Sequence, residues 1–134
     1  MGRMELYLCA LRHHPQNTHA MRSLALLLDE QETVSVANRS MRKRDLLVEA
    51  TVDGTPRSYL LLALDMKADE EVVIRDRKYT RRDVVLQGID DRSDGAIPTL
   101  YKLLHQMLRD EENFIRLKSG DIRSREAIRC LAGL

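Results

Sequence analysis

Residues 46–64 read LLVEATVDGTPRSYLLLAL, and the fold expected from the sequence turns on them. Leu46, Val48, Ala50 and Val52 alternate with Leu47, Glu49, Thr51 and Asp53, the period of a strand with two unlike faces. Asp53-Gly54-Thr55-Pro56 is a turn signal, and 59–64 is a continuous apolar run suited to the centre of a sheet. The pattern predicts a β-hairpin whose second strand lies centrally in an antiparallel sheet.

Upstream, residues 4–11 (MELYLCAL) are apolar on both alternating faces and read as a strand covered on both sides. Asn17 or Thr18 can cap a helix running to about residue 30. Met21, Leu24, Ala25 and Leu28 form one face of it, and Leu26 and Leu27 widen that face. Residues 33–37 (TVSVA) are rich in β-branched side chains and read as a short strand. Downstream, 71–75 reads as a further strand, Thr80 can cap a short helix through Leu86, and 88–95 is a polar loop.

Pro98 suits the first turn of a helix, followed by Leu100, Leu103, Leu104, Met107 and Leu108 at helical spacing. Phe114, Ile115 and Leu117 resume the apolar pattern until Ser119-Gly120-Asp121 stops it, and a last helix carries Ala127, Ile128 and Leu131. No internal repeat is read. The expected fold is α+β, one domain over 1–134. It has a mostly antiparallel sheet of about five strands, a helix after the first strand and a C-terminal helical segment. Its expected core includes Leu6, Leu8, Leu24, Leu28, Val48, Leu60, Leu62, Val73, Leu104 and Leu108.

With 134 residues, 43% hydrophobic and 32% charged, the chain falls outside the collagen-like, low-complexity and disulfide-scaffold classes. No apolar run approaches the roughly 20 residues of a membrane span, so no membrane is expected as a partner. The 22 basic and 21 acidic residues nearly cancel, so attraction to a polyanion has to come from local patches. Cys9 and Cys130 sit among apolar neighbours and read as buried free thiols. Together with a start that lacks the pattern of an export signal, they suit a reducing, cytoplasmic setting.

Four features bear on function. Arg39, Arg42, Lys43 and Arg44, then Arg75, Arg77, Lys78, Arg81 and Arg82, place 9 of the 22 basic residues in two short stretches. If they meet, they form a phosphate-binding surface on which Tyr79 could stack a base. Second, Asp45 opens one strand of the expected hairpin and Asp65-Met66-Lys67 closes the other. This spacing resembles the core of the PD-(D/E)XK nucleases. The resemblance implies Asp45 and Asp65 as Mg²⁺ ligands and Lys67 as the residue that positions water. It requires a Gly54-Thr55 turn, which sets residue 45 opposite 65; an Asp53-Gly54 turn separates the two acids.

Third, His13, His14 and His19 lie close in sequence, but no neighbouring Cys or acid completes a ligand set, so no metal is expected. Fourth, the last third is rich in apolar residues. Leu100, Tyr101, Met107, Phe114, Ile128 and Leu131 are the candidate interface with a protein partner or a second copy. Phosphate-cradling loops, zinc-spaced cysteines and nucleophile elbows are absent, and no cofactor is expected. The leading expectation is a non-catalytic regulator, inhibitor or adaptor working by protein contact, as a small viral or mobile-element protein would. Nucleic-acid binding through the basic segments is the first alternative, and the Mg²⁺-dependent nuclease is the second.

Overall fold

In the computed structural model, which describes residues 2–89 and 98–134, the stretch 46–64 forms two helices rather than a hairpin. The order is α1 (Arg3–His13), α2 (Thr18–Leu27), β1 (Thr33–Val36), β2 (Arg39–Arg42), α3 (Lys43–Ala50), a 3-10 turn over Thr51–Asp53 and α4 (Pro56–Asp65). Then follow β3 (Glu71–Ile74), β4 (Arg77–Thr80), α5 (Arg81–Gly88), α6 (Pro98–Met107), β5 (Phe114–Arg116), β6 (Ile122–Ser124) and α7 (Arg125–Leu131). The chain divides into two compact units, Met1–Gly54 and Thr55–Leu134. The mixed α+β class stands. In place of one five-stranded sheet, the described residues form three separate two-stranded antiparallel hairpins.

The hairpin expectation fails because its turn signal serves two helix ends. Gly54, at φ 69°, is the left-handed cap that closes the 3-10 turn. Thr55 then accepts a hydrogen bond from the Ser58 amide, and Pro56 fills the first helical position. Burial follows the helical period. Leu46, Leu47 and Ala50 are buried in α3, and Tyr59, Leu62 and Ala63 in α4. Residues 4–11 are likewise helical, made of good helix formers whose apolar run has no strand partner. Ser119-Gly120-Asp121 lies in the turn between β5 and β6, where Gly120 has φ 93° and the Leu117 amide donates to the Asp121 carbonyl.

The three hairpins mark an internal repeat that the sequence reading missed. Between the first two repeats, from Thr18 to Pro56, from Thr33 to Glu71 and from Lys43 to Arg81, the step is 38 residues each time, and to the third it lengthens to 42–44. Each repeat is a helix, a hairpin and a second helix: α2-β1-β2-α3, α4-β3-β4-α5 and α6-β5-β6-α7. The same fittings recur. Glu32, Glu70 and Glu112 each accept from the backbone amide three residues back, at Asp29, Lys67 and Arg109, all at 3.0 Å. Asp45 accepts from the Arg42 amide and Asp83 from the Thr80 amide, also at 3.0 Å. Ala37-Asn38 and Arg75-Asp76 form matching two-residue turns with φ between 48° and 68°, the hand that suits twisted strands.

Each hairpin buries its inner face. Val36 and Met41 do so in the first repeat, Val72 and Ile74 in the second, and Ile115 and Leu117 in the third. An isolated two-stranded ribbon is marginal in water, so these apolar faces, covered by helices, are what hold the hairpins. The two helices of each repeat pack on one another, α1 packs on α2, and α5 packs on α6. The order Arg3-Met4-Glu5-Leu6 in α1 follows Lys43-Arg44-Asp45-Leu46 and Arg81-Arg82-Asp83-Val84, so α1 has the make-up of a repeat's second helix. Leu6 is nevertheless 56% exposed, whereas Leu46, Val84 and Ile128 at the matching position are fully buried.

Of the expected core, Leu24, Leu28, Leu62 and Leu104 are buried, while Leu8, Val48, Leu60 and Leu108 are half-buried. Leu6 and Val73 are exposed. Val73 lies on the outer face of β3, one residue out of phase with Val72 and Ile74. Cys9 is half-buried and Cys130 exposed, both as free thiols, so Cys130 is not the buried residue expected. The polar loop expected at 88–95 falls, from residue 90 on, outside the described residues. No helix among the described residues is long and apolar enough to cross a membrane.

Candidate nucleic-acid interface

In the second unit, hairpin β3-β4, the end of α5 and hairpin β5-β6 enclose a cleft of about 300 Å³. Arg77 and Lys78 line it from β4, and Arg116 and Lys118 from β5 and the turn after it. Tyr79, Leu86, Gln87 and Leu117 complete the wall with Asp83, the one carboxylate among the described residues that line it. All four cations are exposed. The Asp83 carboxylate is turned back on its own helix, accepting from the Thr80 amide at 3.0 Å while Thr80 Oγ accepts from the Asp83 amide at 3.1 Å.

Strand register positions the cations. Arg77 stands opposite Ile74, Lys78 opposite Val73 and Tyr79 opposite Val72. Tyr79 is therefore held half-buried on the inner face, and the Arg77 guanidinium lies over its ring, 5.7 Å from the centroid. Lys118 reaches the Gln87 carbonyl at 2.7 Å, where the C-terminal end of α5 concentrates negative dipole. Lys78 and Arg116 have no ion-pair partner among the described residues. The cleft thus presents positive charge to solvent with little internal neutralisation.

The remaining basic residues of the sequence reading are placed differently. Arg81 Nε donates to the Ala63 carbonyl at 2.8 Å, tying the start of α5 to the end of α4. Arg125, at the same point in the third repeat, donates to the carbonyls of Arg109 and Glu112. Arg82 grips Glu112 through two hydrogen bonds, of 2.9 and 2.5 Å. Arg75 occupies the hairpin turn and lies 3.5 Å from the Tyr59 hydroxyl. Arg39, Arg42, Lys43 and Arg44 belong to the first unit, where Arg39 makes a loose, exposed pair with Glu49 at 3.4 Å. Arg116 and Lys118 escaped the sequence reading, although the third repeat sets Arg116 on the strand matching β3 and Lys118 in the turn after it.

The Arg82–Glu112 pair sets an acid sensitivity. Hydrogen bonds from Arg82, then from the Arg109 amide, lower the Glu112 carboxyl from 4.5 to about 2. A carboxylate lowered on folding adds stability that is present above the unfolded value of 4.5 and lost as pH falls from there toward about 2. Melting temperatures of the wild type and Glu112→Gln are therefore expected to differ at neutral pH and to converge between about pH 4.5 and 2. A gap that stays constant across that window would contradict the assignment.

The nuclease likeness has no counterpart in the fold. Residues 46–64 form no hairpin, so the register that was to align Asp45 with Asp65 does not arise. The Asp45 carboxylate caps α3 in the first unit, while Asp65 ends α4 and Lys67 is exposed beyond it in the second. No group of three His, Cys, Asp or Glu suited to a metal occurs among the described residues. The candidate interface also divides. Leu100, Tyr101 and Ile128 are buried in the unit's own core and Met107 is half-buried, so only Phe114 and Leu131 face solvent. No protein-family model, curated protein or solved structure matches the chain.

Proposed function

We propose that the chain is a non-catalytic binding protein whose second unit holds the phosphate backbone of a nucleic acid. The cleft carries this reading. Arg77, Lys78 and Arg116, three cations with no carboxylate partner among the described residues, line one concavity with Lys118. Phosphodiester groups offer such a cleft evenly spaced charge, and binding releases their counterions. The chain's near-zero net charge means that attraction to a polyanion has to come from a local patch such as this one rather than from the whole surface.

Titration of fluorescent single-stranded RNA, single-stranded DNA and duplex DNA between 50 and 200 mM salt tests the proposal. Three to four phosphate contacts give a log–log slope of about −2 to −3 for single strands, hence weakening on the order of 20- to 50-fold across that range. Flat traces for every oligonucleotide would overturn it. They would leave the protein-contact reading, which rests on the exposed Phe114, Ile122 and Leu131 of the third repeat.

A further inference from the structure

Phe114 is the only phenylalanine in the chain, and at 68% it is the most exposed large apolar residue among those described. The repeat does not require it there. The matching first residue of the first strand is Thr33 in the first hairpin and Glu71 in the second, paired with Arg42 and Thr80 as Phe114 is paired with Ser124. The third hairpin alone carries an aromatic ring at this point, on the face turned away from the core. Alternation along β5 puts Arg116 on that same outer face, and Ile122 stands directly opposite Arg116 on β6. Arg116 also lines the cationic cleft. One outer face therefore joins an exposed ring to a cation that no carboxylate among the described residues pairs with.

Building on the backbone-binding reading above, we infer that the bound nucleic acid is single-stranded and that one of its bases stacks on Phe114 while its phosphates lie in the cleft. Stacking on an exposed ring beside a basic groove is how proteins grip unpaired strands without reading their sequence. A duplex keeps its bases stacked inside and presents phosphates on a convex surface, so neither the ring nor the concave cleft is used. RNA and DNA share the chemistry invoked here, unpaired π-faces on a phosphodiester chain.

The test uses the whole chain with fluorescent 12-nucleotide single strands of RNA and DNA, the corresponding duplexes, and polyglutamate as a competitor. Phe114→Ala is expected to weaken single-strand binding about tenfold or more while leaving the slope against salt unchanged, since it removes a stacking contact and no charge. Phe114→Trp restores binding, and duplexes bind weakly to all variants. Because Phe114 is exposed, both variants keep the wild-type melting temperature. Wild-type affinity in Phe114→Ala, duplexes bound as tightly as single strands, or displacement by polyglutamate as effective as by oligonucleotide would each overturn the inference. Duplex binding with an unchanged salt slope leaves the backbone-binding reading standing, whereas no binding to any nucleic acid removes both.

Discussion

Gly88→Ala is expected to destabilise the second unit by about 1–3 kcal/mol, against the usual gain of up to about 1 kcal/mol when a helical glycine becomes alanine. A methyl group built on Gly88 would stand 2.8 Å from the Tyr59 Cβ and 3.3 Å from a Leu100 methyl. The nearer atom is the root of a buried side chain, so relief requires movement of α4 against α5 rather than a rotamer change. The same site in the first repeat is Ala50, fully buried. There the opposite change, Ala50→Gly, should cost about 1 kcal/mol or more through lost helix propensity and a lost buried methyl. Thermal melts of both variants check the pair, and a stabilised Gly88→Ala would contradict the close approach. The effect bears on function because the last turn of α5 carries Leu86 and Gln87, which line the cleft, and Lys118 anchors on the Gln87 carbonyl.

The repeat was written in the sequence but masked by how the residues read singly. Arg39, Arg44 and Asp45 recur as Arg77, Arg82 and Asp83 at the repeat step, and Leu24, Ala25 and Leu26 recur as Leu62, Ala63 and Leu64. The two basic segments that suggested a phosphate surface were the repeat's own signature. Part of their charge is structural, since Arg81 and Arg82 hold the Ala63 carbonyl and Glu112. Elements with strong caps were legible: α2 from Asn17, α5 from Thr80, α6 from Pro98, and strands β1 and β3 from their β-branched content. The error at 46–64 came from residues that satisfy two periods at once. Leu46 and Ala50 are shared by the strand and helix patterns, and Asp53-Gly54-Thr55-Pro56 suits either a tight turn or a helix end followed by a helix start.

The site was half legible for a related reason. Arg77 and Lys78 stood out as members of a basic run, and Phe114 as an apolar residue in search of a partner. Arg116 and Lys118 did not, because 114–118 read as part of the expected C-terminal helical segment, marked by its apolar residues. As a strand, the same segment sends Ile115 inward and Phe114 and Arg116 outward. That change of period turns a core segment into one wall of the cleft.

Neutralising the cleft is the second large effect. Arg77→Gln, Lys78→Gln and Arg116→Gln together are expected to lower the salt slope for single strands by about 2 and to weaken binding about 100-fold at 0.1 M salt. The three side chains are exposed, so the fold should survive, and a melt verifies this. A matched control removes the same charge elsewhere in the unit, through Arg57→Gln, Lys102→Gln and Arg129→Gln, also exposed. The most direct measurement is the salt titration of wild type, cleft variant and control variant with one labelled single strand, in parallel. The account predicts that the control keeps the wild-type slope and the cleft variant loses about two-thirds or more of it. Equal losses in both variants, or no loss in either, would contradict it.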